Sequence, residues 1–366
     1  MNHTIFLRLL IFSITVLTGC RKQGDIISDV NLKEVCEVRT DVLPPKGYEV
    51  NMIGSIDFNG SAKAFQFVDE LTGFAMMNNN VGGYVEVFKT TDGGQTWANL
   101  DIGIQQYARG MVFKNENLGI ITCHDITGCP PPNCQNRCVM LKTENGGLDW
   151  KEIEFSEFKG ILYHPQFDSE GNLYANLSFD GHHTIMKSED EGVHWDTLVV
   201  SSALDFTLLS YSFKLFQDKI YASAKDGRIL VLGTDGQLIK SIELNASPIW
   251  DLEIIDENNL VVVVSGKVLK STDGGVTWQT ILEKSTRMIG FDSVSKGLML
   301  IQKSSCPTDV YQVNDLIAAT WDGGGNWSEA EQTTTNLRIG FSNSQKMGAG
   351  NWLMMLGNQL FRVREK

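Results

Sequence analysis

Lys89-Thr90-Thr91-Asp92-Gly93-Gly94-Gln95-Thr96-Trp97 returns, almost residue for residue, as Lys270-Ser271-Thr272-Asp273-Gly274-Gly275-Val276-Thr277-Trp278. Looser copies are Lys142-Thr143-Glu144-Asn145-Gly146-Gly147-Leu148-Asp149-Trp150, Lys187-Ser188-Glu189-Asp190-Glu191-Gly192-Val193-His194-Trp195 and Ala319-Thr320-Trp321-Asp322-Gly323-Gly324-Gly325-Asn326-Trp327. A decayed copy, Leu232-Gly233-Thr234-Asp235-Gly236-Gln237, lacks the tryptophan. The Asp or Asn positions 92, 145, 190, 235, 273 and 322 recur every 38 to 53 residues. That period fits propeller blades of four strands.

The motif has the chemistry of a tight turn. Asp or Asn ahead of Gly-Gly suits a hairpin, because glycine accepts positive φ and the short side chain bonds nearby backbone N–H groups. The Ser or Thr two residues earlier adds a local bond, and the tryptophan opens the next strand with a large face to bury. Moving outward, each turn is preceded by an apolar strand led by a turn residue, as in Thr72-Gly73-Phe74-Ala75-Met76 or Leu118-Gly119-Ile120-Ile121. Ahead of each such strand stands an apolar landmark: Phe67, Phe113, Phe167, Phe216, Ile254, Phe291 and Phe341. Seven landmarks predict an all-β, seven-bladed β-propeller of four-stranded antiparallel blades. Six turn motifs leave a six-bladed ring with a terminal appendage as the alternative. The last unit shows three strands, and the segment Tyr48-Glu49-Val50-Asn51-Met52-Ile53 is expected to supply the fourth, so that no sheet edge stays open.

The turn motif resembles the Asp box, or BNR repeat. Residues 48–366 resemble propellers of the photosystem II assembly and stability factor type and, more widely, the sialidase-like superfamily; Thr72-Gly73-Phe74-Ala75 followed by the Asp92 motif carries the likeness. The resemblance implies a structural role for Asp92, Trp97, Asn145, Trp150, Asp190, Trp195, Asp235, Asp273, Trp278, Asp322 and Trp327, on the side of the propeller away from any active face. Such a fold hosts binding proteins and enzymes alike, so function has to be argued from residues.

The amino-terminal segment reads as an export signal. Arg8 precedes the apolar run Leu9-Leu10-Ile11-Phe12-Ser13-Ile14-Thr15-Val16-Leu17, which is too short to span a bilayer. It closes in Leu17-Thr18-Gly19-Cys20, a sequence similar to the bacterial lipobox, whose cysteine thiol takes up a diacylglycerol. The expected organisation is a signal over 1–19, a lipidated linker over 20–47 and one propeller over 48–366. It implies attachment to the outer membrane through Cys20, on the periplasmic side or at the cell surface. The formal net charge of -13 argues against nucleic acid, whose binding rests on phosphate neutralisation.

Six further cysteines, Cys36, Cys123, Cys129, Cys134, Cys138 and Cys306, make an even set in an oxidising compartment and are disulfide candidates. A nested pairing, 123 with 138 and 129 with 134, would staple the proline-bearing loop between them, one of three possible pairings for these four. Cys36 and Cys306 could join the start of the domain to a late repeat. The spacing lacks the paired Cys-x-x-Cys of common zinc sites, so no metal and no cofactor is expected.

No phosphate loop, nucleophile elbow or His-Glu-x-x-His is present, and neither is the Arg-Ile-Pro of sialidases. The basic and aromatic residues ahead of the landmarks are more informative. Lys63, Arg109, Tyr163, Trp250 and Arg287 each lie four residues before a landmark, and Arg338 lies three before Phe341. In a propeller these positions ring one end of the central channel. They make either a cationic, aromatic mouth for a carboxylate, a sugar acid or an acidic protein segment, or a set of solvated strand-entry residues. The reading favoured is a non-catalytic, monomeric platform of the bacterial cell envelope that binds a protein or glycan. A glycan-active hydrolase or lyase working at the channel mouth is the alternative. Replacing Cys20 by serine is expected to move the expressed protein from the detergent to the aqueous phase on detergent partitioning; continued retention in detergent would remove the lipid anchor from this account.

Overall fold

The computed structural model describes residues 45, 47–79, 85–100, 102, 107–125, 137–155, 159–179, 182–200, 213–224, 226–246, 248–284, 286–303, 314–329 and 343–366. These form seven four-stranded antiparallel sheets, and no helix occurs among the described residues. The first strands of the sheets are Gly60–Phe67, Tyr107–Phe113, Ile161–Phe167, Phe213–Phe216, Asp251–Ile254, Thr286–Phe291 and Asn343–Gly348. They belong to blades 1 to 7 of a seven-bladed β-propeller. In blades 1 to 6 the four strands follow chain order from the axis outward. In blade 7 the outer strand is Tyr48–Ser55, paired antiparallel with Gln359–Glu365 from Tyr48 opposite Glu365 to Ser55 opposite Gln359. The amino-terminal closure expected from the sequence is therefore present, and the six-bladed alternative is not.

Each sheet is sandwiched between two others, and the buried apolar residues form seven separate slabs, one per blade junction. The second strand of a blade is thus buried on both faces and reads as a continuous apolar run. Phe74, Ala75, Met76 and Met77 are fully buried in succession, as are Leu260, Val261 and Val262. The landmark rings explain the glycine that opens this strand in three blades. A Cβ at Gly73, Gly119 or Gly297 would lie 2.7 Å or less from the ring of Phe67, Phe113 or Phe291 respectively. The tryptophan of the same blade's turn closes the other side edge-on: Phe67 with Trp97, Phe113 with Trp150 and Phe291 with Trp327 have ring centroids 6.0, 6.2 and 6.4 Å apart. Phe113 also stacks on Phe74 of the neighbouring blade, at 3.4 Å between centroids. A ring held on so many sides contributes roughly 3–5 kcal/mol relative to alanine.

The Asp-Gly-Gly turns join the third and fourth strands, as read from the sequence. Gly93 and Gly94 have φ of 75° and 91°, conformations that a side chain resists. The Thr90 hydroxyl donates to Asp92 Oδ1 (2.7 Å) and accepts from the Gly94 N–H (2.9 Å), while Asp92 accepts from the Thr96 N–H and hydroxyl. Asp273 repeats this bonding, and Asp322 does so with the Asn326 side-chain amide in place of the hydroxyl donor. The first glycine then ties each turn to the neighbouring turn of its own blade: the Gly93, Gly146, Gly274 and Gly323 N–H groups donate to Leu71, Asn117, Asn258 and Ser295 carbonyls at 2.8–2.9 Å. Lysines carry the tie across blades, with Lys89 donating to the Gly146 carbonyl (3.3 Å) and Lys270 to that of Gly323 (3.1 Å).

Two expectations are corrected. The seventh first strand puts Lys346 opposite Trp352, the place that Phe67 takes opposite Gly73, so the landmark of blade 7 is Lys346 and not Phe341. The second strand is accordingly Asn351–Leu356, because the unbroken run Trp352-Leu353-Met354-Met355-Leu356 is the one that burial on both faces demands. The pairing of Cys123 with Cys138 is also not formed. Cys123 stands opposite Val139 and Cys138 opposite His124, which sends their side chains to opposite faces of blade 2, into different slabs. Cys20, Cys36, Cys129, Cys134 and Cys306 lie outside the described residues.

The turn carboxylates give the fold a pH signature. Hydrogen bonds from the Thr96 hydroxyl to Asp92, from the Thr277 hydroxyl to Asp273 and from the Asn326 N–H to Asp322 hold each carboxyl down at about 2. A carboxyl depressed below its unfolded value stabilises the fold above that unfolded value and loses the contribution as pH falls through the folded one. Urea unfolding is therefore expected to show stability dropping between about pH 4 and pH 2, with a shallower drop in Asp273→Asn; a drop of equal size in the variant would contradict the assignment.

Candidate functional site

The end of the ring opposite the Asp-Gly-Gly turns is built from the beginnings of the first strands. Four of these strands carry a β-bulge there. Pairing with the second strand slips between Ala62 and Ala64, Ala108 and Gly110, Tyr163 and Gln166, and Thr286 and Met288. The residues left out of the ladder are Lys63, Arg109, the pair His164-Pro165, and Arg287. A bulge re-aims the side chain it releases, so the four-residue spacing read from the sequence marks one structural position in blades 1, 2 and 6. Tyr163 borders the bulge of blade 3. Trp250 precedes the first strand of blade 5, anchored by its N–H to the Val263 carbonyl at 2.8 Å, and its side chain is 38% exposed. The side chain of Arg287 is outside the described set. Arg338 is too, and with the seventh landmark at Lys346 it no longer stands at the four-residue offset.

The structure brings three of the six candidates into one neighbourhood. The Lys63 ammonium donates to the Ala108 carbonyl at 2.5 Å, bridging blades 1 and 2. The Arg109 guanidinium lies over the Tyr163 ring, 5.8 Å from its centroid, bridging blades 2 and 3. Gly110 allows this approach, since a Cβ there would come within 2.4 Å of Pro165. His164, held at φ 51°, lies beside Tyr163 with ring centroids 6.2 Å apart. Burial, and then the charge of Arg109, pushes Lys63 down to about 8. Burial, and then Lys63, pushes His164 down to about 4, so its imidazole is neutral at pH 7. Two cations crowded together beside an aromatic ring and a neutral imidazole form a site whose mutual repulsion an anion would relieve.

The wall formed by blades 4 and 5 has the opposite character. Lys214 reaches both Asp251 Oδ1 and Glu253 Oε2, each at 3.4 Å. Asp251 is buried and also accepts the Leu252 N–H at 2.8 Å. Two carboxylates facing an open groove would suit glycoside hydrolysis, whereas these two are engaged in holding blades together. Sequence reading missed a further device of this layer. Gln66, one residue before its landmark, accepts the Phe113 N–H and donates to the Phe113 carbonyl, both at 2.8 Å. Gln345 does the same to Phe67 at 2.7 Å, and Gln166 spans to the Phe213 carbonyl and the Leu215 N–H. The recurrence of Gln at this one offset was the available signal. The proline-bearing loop singled out above lies largely outside the described residues, which resume at Arg137.

No protein-family profile matches the chain, and no curated protein sequence matches it. Among solved structures it is similar to YCF48 bound to D1 peptide, with a TM-score of 0.63 and 14% identity over 88% of this chain and 100% of that one. YCF48 from Cyanidioschyzon merolae gives 0.62 and 14% over 86% and 98%. A GH74 xyloglucanase from Xanthomonas campestris gives 0.57 and 12% over 87% of this chain and 54% of that one. At these identities the likeness is one of fold.

The Lys63–Arg109 pair has its own test. The Lys63 side chain, followed by NMR, is expected to titrate at about 8, and the midpoint is expected to rise in Arg109→Gln. A wild-type midpoint at the ordinary lysine value of about 10.4 would show that the two cations are not crowded.

Proposed function

We propose that this chain is a non-catalytic binding or assembly platform of the bacterial cell envelope, tethered by lipid on Cys20, that engages an acidic segment of a protein partner at the mouth formed by blades 1 to 3. The observation that carries the reading is the convergence of Lys63, Arg109 and Tyr163 from three blades onto one spot. Guanidinium and ammonium donors are suited to carboxylates, and a rigid ring of blades presents them with little ordering cost on binding. The likeness to a propeller whose structure holds a D1 peptide supports a protein as the partner class. The Asp-box reading of the turns agrees with it, because the turn side chains are occupied by local bonds and lie at the other end of the ring.

A glycan-active enzyme is the second reading, since the same cations suit a sugar carboxylate and a xyloglucanase shares the fold. One experiment separates the two. The full chain, wild type or Lys63→Ala/Arg109→Ala, is immobilised and exposed to envelope extract and, separately, to a glycan array. The platform reading expects a protein retained by the wild type, reduced at least about tenfold in the double variant, a loss of about 1.4 kcal/mol. Retention is also expected to weaken as pH rises through about 8, where Lys63 loses its charge. Equal capture by the double variant would overturn the site, and glycan retention followed by cleavage would put the enzyme in its place.

A further inference from the structure

The residue one position before the landmark bridges to the next blade in three of the seven junctions, each time as a glutamine. Gln66 and Gln345 each make a matched pair of bonds with the backbone of the neighbouring landmark, one accepted from its N–H and one donated to its C=O. Gln166 donates to the Phe213 carbonyl and accepts from the Leu215 N–H, two residues apart on the first strand of blade 4. In blade 5 the same position is Glu253, one residue before Ile254 and opposite Val261 as Gln66 is opposite Phe74, which turns its carboxyl toward the Phe291 backbone of blade 6. A glutamine amide has a donor for the second bond. A carboxylate has none and turns two lone-pair-bearing oxygens toward a backbone carbonyl; a protonated carboxyl has one O–H to give.

We propose that Glu253 works as a protonation-dependent latch between blades 5 and 6, its carboxylic O–H replacing the glutamine N–H as donor to the Phe291 carbonyl, and that ionisation removes this bond and loosens the junction. The surroundings favour the neutral acid. Burial pushes the Glu253 carboxyl up, and the neighbouring Asp251 carboxylate on its own strand pushes in the same direction, while Lys214 from blade 4 opposes them. Lys214 is shared with Asp251 at the same 3.4 Å, so its charge is divided between two acids. The second strand of blade 5, Leu260–Val264, brings only apolar side chains. The first strand of blade 6 brings the Phe291 backbone and, four residues before it, Arg287, whose side chain is not among those described.

The sign is opposite to that of the turn aspartates. A carboxyl raised above its unfolded value contributes stability that is complete below the unfolded value and is lost as pH rises through the folded one. The test compares denaturant unfolding of the full chain, wild type against Glu253→Gln, from pH 4 to pH 9. The glutamine variant keeps the shape and both bonds of the other junctions, so it is expected to fold and to match the wild type at pH 4. Above that, its unfolding constant is expected to fall below the wild type's by up to about tenfold per pH unit until Glu253 has ionised, and then to run parallel. The turn carboxylates titrate alike in both proteins and cancel in the comparison. Infrared difference spectroscopy supplies the second readout: a protonated-carboxyl band that outlasts those of exposed acids as pH rises, present in the wild type and missing in Glu253→Gln. A constant ratio of unfolding constants across the range, or a Glu253 band that vanishes with the exposed acids, would overturn the proposal.

Discussion

Burial of both faces of every blade is the constraint on which this structure rests. A four-stranded sheet with two apolar faces cannot stand alone, and the seven slabs between blades satisfy each sheet only because the ring has no end. The sequence features follow from this. The second strands are apolar throughout instead of alternating, the landmark phenylalanines lie flat enough to need Gly73, Gly119 and Gly297 beneath them, and the turn tryptophans seal the same rings at the edge. The turns themselves are fastened twice, by glycine N–H groups within a blade and by Lys89 and Lys270 between blades.

Polar chemistry is admitted into this scheme at the axis. The first strands have only one neighbour in their sheet, so a bulge there costs little pairing, and Lys63, Arg109 and Arg287 occupy three such bulges. Lower along the same strands, the residues before the landmarks connect blade to blade through backbone groups that the ring would otherwise leave facing the channel. The layer that carries the charges and the layer that fixes the blades are thus three residues apart, as Lys63 and Gln66 are. Changes in protonation at the first are positioned to be felt by the second, as the shared Lys214 illustrates.

The legible parts of the sequence were those governed by local rules. Asp-Gly-Gly turns, the period between them, the seven-fold count and the closing strand at Tyr48 all follow from turn stereochemistry and from the need to cover edges. The offset of four residues before the landmarks of blades 1, 2 and 6 was also legible, because a bulge inserts one residue at a fixed place. Blade 7 was misread because Phe341 looks like the other landmarks, while the true position holds Lys346, a residue whose place is set by the pairing of Trp352 and not by its own character. The pairing of Cys123 with Cys138 was misread for a similar reason: closeness along a loop says nothing about which face of the sheet each thiol takes. The glutamine bridges were hidden because they join residues some 47 to 278 positions apart.

Among the described strands, Tyr48–Ser55 is the first to be synthesised and its partner Gln359–Glu365 the last. Until that partner arrives, blade 7 has no outer strand and blade 1 has no neighbour on one side. The final step of assembly is thus a single long-range closure across almost the whole propeller, costly in loop entropy but only logarithmically so. A chain folding from its amino terminus accumulates blades with one apolar flank always open, and the exposure ends in one event. That places the burden of avoiding aggregation on the interval before closure, and it makes the ladder between the two ends the element whose formation separates an unfinished arc from a finished ring.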